Sequence, residues 1–193
     1  ATAQVLSLGT TTFDGVLAKG IKLKATGRVT LTNAHSTYTE TDYLTGNNGA
    51  MSAGNGTLCV PSFGLTTENE SATGKSGSFS VRGSGGGVLY LGAGETTDKS
   101  FSADQEELRG YPAFIDAGAT GGLVLTGNFS PFPYKLVARQ ACFVLTGSNT
   151  TPCVISGKVV EGTPNSGASS DKIPAPLCFR KQGSGTWRFG HNW

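Results

Sequence analysis

The sequence predicts an all-β chain: one domain, folded as an antiparallel β-sandwich or barrel of jelly-roll or immunoglobulin-like type with about a dozen short strands. Three observations carry that expectation. Apolar side chains recur at every second residue in many short runs, and turn residues punctuate those runs at short intervals. In addition, 29 glycines and only 15% charged residues leave little material for helices. A chain of 193 residues is long enough for one sizeable core and gives no reason for two.

Taken in order, the first run is ATAQVLSLGTTT. It sets Leu6 and Leu8 on one face of a strand and Ala3 and Val5 on the other. Residues 1–12 are expected to form an N-terminal strand that can be exchanged with a neighbouring copy, ahead of a β domain over 13–193; pairing within its own domain is the alternative. Alternation then marks Ile21, Leu23 and Ala25; Val29 and Leu31; Phe79 and Val81; Tyr134, Leu136 and Ala138; and Trp187 and Phe189. The runs VLYL from Val88 and LVL from Leu123 are continuously apolar, as strands buried on both faces are. Turn signals stand at Thr26-Gly27, Asn47 to Gly49, Gly54 to Gly56, Gly127-Asn128 and Gly147 to Asn149. One short helix is expected near 102–109, where Ser102 can cap, Gln105 follows three residues on, and Gly110 with Pro112 gives a stop. Residues 162–176 show no periodicity and read as a surface loop, and no repeat of fixed period runs through the chain.

The glycine-rich run Gly83-Ser84-Gly85-Gly86-Gly87 is the first candidate for chemistry. A dinucleotide fingerprint places its third glycine where Val88 or Tyr90 stands, and strand-like sequence follows in place of a helix. A phosphate-binding loop ending at Gly74-Lys75-Ser76 lacks its earlier glycine, since Asn69 occupies that position. The run is therefore expected to be a hairpin between FSVR and VLYL, with a neighbouring backbone, even another subunit's, held close to the surplus glycines.

Two other constellations fail on spacing or context. Leu31 to Ser36 around His35 echoes the histidine segment of chymotrypsin-like serine proteases, and Gly83 to Gly86 around Ser84 echoes their nucleophile loop. The residue before Ser84 is glycine where that loop has aspartate, and only about fifty residues separate His35 from Ser84, too few for two barrels to share a cleft. The carboxylate pairs Glu40 with Asp42, Glu68 with Glu70, and Glu106 with Glu107 read as solvated charges. Oxygen-rich residues around Thr39 to Asp42, with Asn47 and Asn48, do not match a calcium loop. No catalytic residue, cofactor or metal ligand is assigned, and the chain is expected not to be an enzyme.

Cys59, Cys142, Cys153 and Cys178 form an even set without metal-ligand spacing, so disulfides are expected. A hairpin over FVLTGSNTTP sets Cys142 opposite Cys153 and leaves Cys59 for Cys178, although three connectivities remain open. Such bridges, with a start at Ala-Thr-Ala-Gln that resembles a processed terminus, point to a secreted, cell-surface or virion protein. A net charge of +2 without a basic run argues against nucleic acid, and no apolar run spans a bilayer. The remaining expectation is a self-assembling structural subunit of a filament, fimbria, fibre or shell, with Leu6 and Leu8 as candidate contacts to the next copy. The alternative is a carbohydrate-binding module or lectin-like adhesin that stacks sugars on Trp187 or Trp193. Sequons at Asn55, Asn69, Asn128 and Asn149 are glycan acceptors in a cell that glycosylates them.

Overall fold

A computed structural model describes residues 4–18, 21–38, 40–41, 56–75, 77–81, 86–103, 113–131, 141–160 and 177–190. These residues form strands β1 (Gln4–Leu8), β2 (Thr11–Phe13), β3 (Ile21–Ala25), β4 (Arg28–Leu31), β5 (Glu40–Thr41) and β6 (Thr57–Val60). There follow β7 (Ser78–Val81), β8 (Gly87–Tyr90), β9 (Glu95–Thr97), β10 (Ser100–Ala103), β11 (Ala113–Asp116) and β12 (Leu123–Leu125). The last are β13 (Phe129–Pro131), β14 (Ala141–Thr146), β15 (Cys153–Ile155), β16 (Leu177–Lys181) and β17 (Trp187–Phe189).

Every pairing between named strands is parallel, and the strands form three sheets. The first sheet runs β1-β3-β5-β7-β10-β13, the second β16-β14-β11-β8-β6-β4-β2 and the third β17-β15-β12-β9. Consecutive strands thus visit one sheet after another, and each return to a sheet lands beside the strand laid down one turn earlier. That is a β-solenoid. Three turns, β7-β8-β9, β10-β11-β12 and β13-β14-β15, carry a strand on every face.

The antiparallel sandwich or barrel is therefore corrected. A parallel pair needs a crossover of a dozen residues or more, normally a helix. Here the crossover consists of strands lying in other sheets, one strand in the turns before β7 and two in the turns from β7 to β15. The sequence's short turns are corners between faces: Thr26-Gly27 separates β3 from β4, Gly127-Asn128 separates β12 from β13, and Gly147 to Asn149 begins the passage from β14 to β15. Among the described residues there is no helix. Ser102, expected to cap one, lies inside β10, and 104–109 fall outside the described residues.

The strands on either side of the glycine run do not pair as a hairpin, because β7 belongs to the first sheet and β8 to the second. Residues 82–85 are outside the described set, but Gly87 explains part of the glycine use. A Cβ at Gly87 would collide with the carbonyl oxygen and ring of Phe114 in the adjacent strand β11. The close neighbour is the chain's own next turn.

Alternation still decides which side chains go inside. In the second sheet Val29, Leu58, Val88, Ile115 and Leu145 stand in register across β4, β6, β8, β11 and β14, all buried. In the first sheet Phe79, Phe101 and Phe129 align across β7, β10 and β13, with ring centroids 5.3 and 5.4 Å apart. Parallel in-register stacking places like on like at the strand spacing, which suits offset aromatic rings. Ring contacts continue from Phe129 to Phe143 and Phe179, and from Phe179 to Phe189. Aligned positions are 22 and 28 residues apart in the first sheet, so no fixed period shows in the sequence.

The same register sets the disulfide. Cys142 of β14 lies opposite Cys178 of β16, one turn on, and the two are bonded with Cα atoms 4.5 Å apart. Cys59 in β6 and Cys153 in β15 are free and buried. The pairing of Cys142 with Cys153 fails because the corner after β14 carries Cys153 into the third sheet rather than back along β14. Cys59 lies in the second sheet too, but four strands from Cys178: β8, β11 and β14 stand between β6 and β16.

Candidate functional site

The densest polar chemistry among the described residues gathers where a long loop after β6, residues 61–77, lies against the segment from β9 to the start of β10. Four side chains of that segment hold it. Glu95 accepts hydrogen bonds from Ser62 Oγ at 2.6 Å and Phe63 N at 2.6 Å. Thr97 donates its hydroxyl to Gly64 O at 2.7 Å. Asp98 accepts from Thr66 N at 2.7 Å and from the Thr66 hydroxyl. Lys99, 0% exposed, donates from Nζ to Thr73 Oγ1 at 2.8 Å and Gly74 O at 2.7 Å. Ser71 Oγ and Thr73 Oγ1 complete the network by donating to Phe63 O.

Burial acts on these charges in opposite senses. Desolvation pulls the Lys99 ammonium down from 10.5 to about 8, against the attraction of Asp98, Glu68 and Glu95. For Asp98 burial works to raise the carboxyl, but the Thr66 hydrogen bonds outweigh it and hold the group below its ordinary value. A lysine of lowered pKa is a chemical candidate for a nucleophile or general base. Its setting assigns it another task. The amine is sealed from solvent, and both of its hydrogen bonds go to the loop, so it fastens the loop to the solenoid.

That assignment has a pH signature. Between about 8 and 10.5 the unfolded chain holds a proton that folded Lys99 has released, so folding stability gains as pH rises through this window. The full gain is on the order of 3 kcal/mol. The buried thiols of Cys59 and Cys153 are raised above 9.0 by desolvation and act in the opposite sense, since the folded chain keeps protons that the unfolded chain loses. Comparing urea stability with that of Lys99→Met isolates the lysine. The wild-type stability minus that of the variant should grow between pH about 8 and about 10, and a difference that stays flat would contradict the account.

On the outer side of the same loop, His35 Nδ1 and Glu70 Oε2 lie 2.7 Å apart, both exposed. Glu68 caps the loop by accepting from Leu65 N at 2.9 Å. The pair Glu68 and Glu70 is thus divided between two partners. His35 has Glu70 as its neighbour and not a serine; Ser84 lies outside the described residues, as do Asp42, Asn47, Asn48, Glu106 and Glu107. Leu6 and Leu8 lie in β1, which pairs in parallel with β3 of its own chain and is the end strand of the first sheet. Trp187 is half-buried against the core, with its indole Nε1 donating to Thr146 O at 3.1 Å. Trp193 lies outside the described residues. Of the sequons, Asn69 and Asn128 are exposed, whereas Asn149 is buried and donates its side-chain amide to Thr151 O and Thr186 O. A glycan at Asn149 is incompatible with this corner.

Sequence reasoning missed Lys99 altogether. A lysine between Thr97 and Ser100, at a turn and outside any apolar run, reads as a surface charge. Only the fold brings Thr73 and Gly74 over it. Comparison with protein-family models, with curated proteins and with solved structures finds no match.

Proposed function

We propose that the chain is a non-enzymatic structural subunit that joins copies of itself into an extracellular filament, fibre or shell through the strands that end its sheets. The observation that carries this reading is the topology. At one end the first and second sheets finish in β1 and β2, and at the other the second and third finish in β16 and β17. A parallel solenoid can be continued by any strand of the same direction, and an end strand presents one row of backbone donors and acceptors to it. A contact between unlike ends is heterologous and generates a filament wherever its rotation does not close into a ring. The extracellular setting is supported by the Cys142–Cys178 bond, which persists in oxidising surroundings.

Sedimentation and electron microscopy of the full chain test the reading. Concentration-dependent assemblies that shrink when residues 1–12 are removed support it. A full-length protein that stays monomeric at high concentration overturns it.

A further inference from the structure

The four cysteines divide into one bonded pair and two buried free thiols, so a thiol reductant meets a single target in this chain, Cys142–Cys178. Its place in the fold decides what breaking it does. The bond joins β14 to β16, and β16 with β17 makes up the last turn, each being the end strand of its sheet.

That turn is held less deeply than the one before it. In β14 five of six residues are buried, Ala141 to Leu145, and in β15 so are Cys153 and Ile155. In β16 Leu177, Cys178 and Phe179 are half-buried while Arg180 and Lys181 are exposed, and in β17 Trp187 is half-buried while Arg188 and Phe189 are exposed. Its other ties to the body include the Phe179 ring, with centroids 5.5 and 6.0 Å from those of Phe129 and Phe143. The amides of Gln182, Gly185 and Gly190 also donate to Leu145 O, Gly147 O and Ile155 O. An end turn with this little buried surface is where local opening concentrates. The disulfide opposes that opening by constraining the open state across a sequence separation of 36.

The two half-cystines are unequally placed, with Cys142 1% exposed and Cys178 half-buried. A thiolate of a dithiol reductant therefore attacks the Cys178 sulfur, and the Cys142 sulfur leaves as a thiolate that takes up a proton. The second thiol of the reductant then displaces Cys178, so the reductant ends as a disulfide and both cysteines as thiols. We propose that Cys142–Cys178 is a redox-controlled staple on the assembling end. Oxidised, it locks β16 and β17 in place to meet a second copy; reduced, it frees that turn and the contact is lost. This rests on the reading that the chain assembles through its end strands, and it ties assembly to oxidising surroundings.

Hydrogen exchange of the full chain with and without a dithiol reductant, read by mass spectrometry, tests the staple independently of assembly. Peptides from 177–190 should exchange faster by at least about a hundredfold after reduction, while β6, β8 and β11 keep their protection. The double variant Cys142→Ser, Cys178→Ser should behave in the same way without reductant. Sedimentation velocity on the same samples should show assemblies that shrink on reduction. Unchanged exchange in 177–190 overturns the staple and leaves assembly through the end strands standing. Equal loss of protection in β6, β8 and β11 marks global unfolding and overturns it too. Fast exchange in 177–190 with assemblies of unchanged size overturns the control of assembly. A chain that is monomeric in both states, yet loosens at 177–190 on reduction, overturns self-assembly and keeps the staple alone.

Discussion

Phe101→Ala should cost the fold about 3–5 kcal/mol, a large share of the 5–15 kcal/mol that holds a typical domain. Phe101 is fully buried, and its ring meets Phe63, Phe79 and Phe129 at centroid distances of 5.8, 5.3 and 5.4 Å. It is the middle member of an in-register column, so its removal leaves a hole between two turns that are fixed to each other by parallel ladders on either side. Such a site collapses poorly, which places the cost at the high end for a lost ring. Urea unfolding of wild type and variant gives the number. A loss below about 1 kcal/mol would mean that the column does not exist as described.

Gly157→Ala should be at least as damaging, at about 3 kcal/mol or more, through backbone crowding rather than a cavity. Gly157 stands at the corner after β15, directly over Gly127 at the corner after β12. A Cβ there would strike the carbonyl of Gly127. Gly127 in turn faces the carbonyl of Lys99 on the turn before, so three successive turns are stacked backbone on backbone at this corner. Nothing flexible can yield, because the atoms in the way belong to main chain tied to the ladder by Ser156 N and Gly157 N donating to Leu125 O. Where the variant does not accumulate as folded protein, Gly77→Ala is the informative companion: the nearest atom to its added Cβ is 3.9 Å away, and its stability should stay within about 0.5 kcal/mol of wild type. Equal tolerance at both positions would contradict the stacked corner.

About half of the strands were legible in the sequence, and their directions were not. Leu23 and Ala25, Val29 and Leu31, Phe79, and the runs from Val88 and Leu123 all lie in strands, because alternation and β-branched content report burial of a pleated surface. Alternation is the same for a strand whose partner runs up or down. What separates the two is the distance along the chain to the partner, and here that distance passes through one or two other sheets. The Phe79, Phe101 and Phe129 column is the signal that was present, but its unequal spacing hid it. The turn at Gly147 to Asn149 illustrates the ambiguity: the residues that close a hairpin also turn a solenoid corner, and Asn149 does so by bonding Thr151 and Thr186. The polar network around Lys99 was illegible for another reason. Its members come from residues 62–74 and 95–99, and nothing local couples them.

The arrangement of the cysteines follows from this architecture, because its register sets Cys142 beside Cys178 while Cys153 lies in another sheet and Cys59 lies several strands away. Digestion without reduction, with free thiols blocked in denaturant and the peptides identified by mass spectrometry, reads it directly. The parallel solenoid predicts one linked pair, Cys142 with Cys178, and blocked thiols at Cys59 and Cys153. A Cys142–Cys153 link, as a hairpin over the Gly147 to Asn149 turn would form, would contradict it.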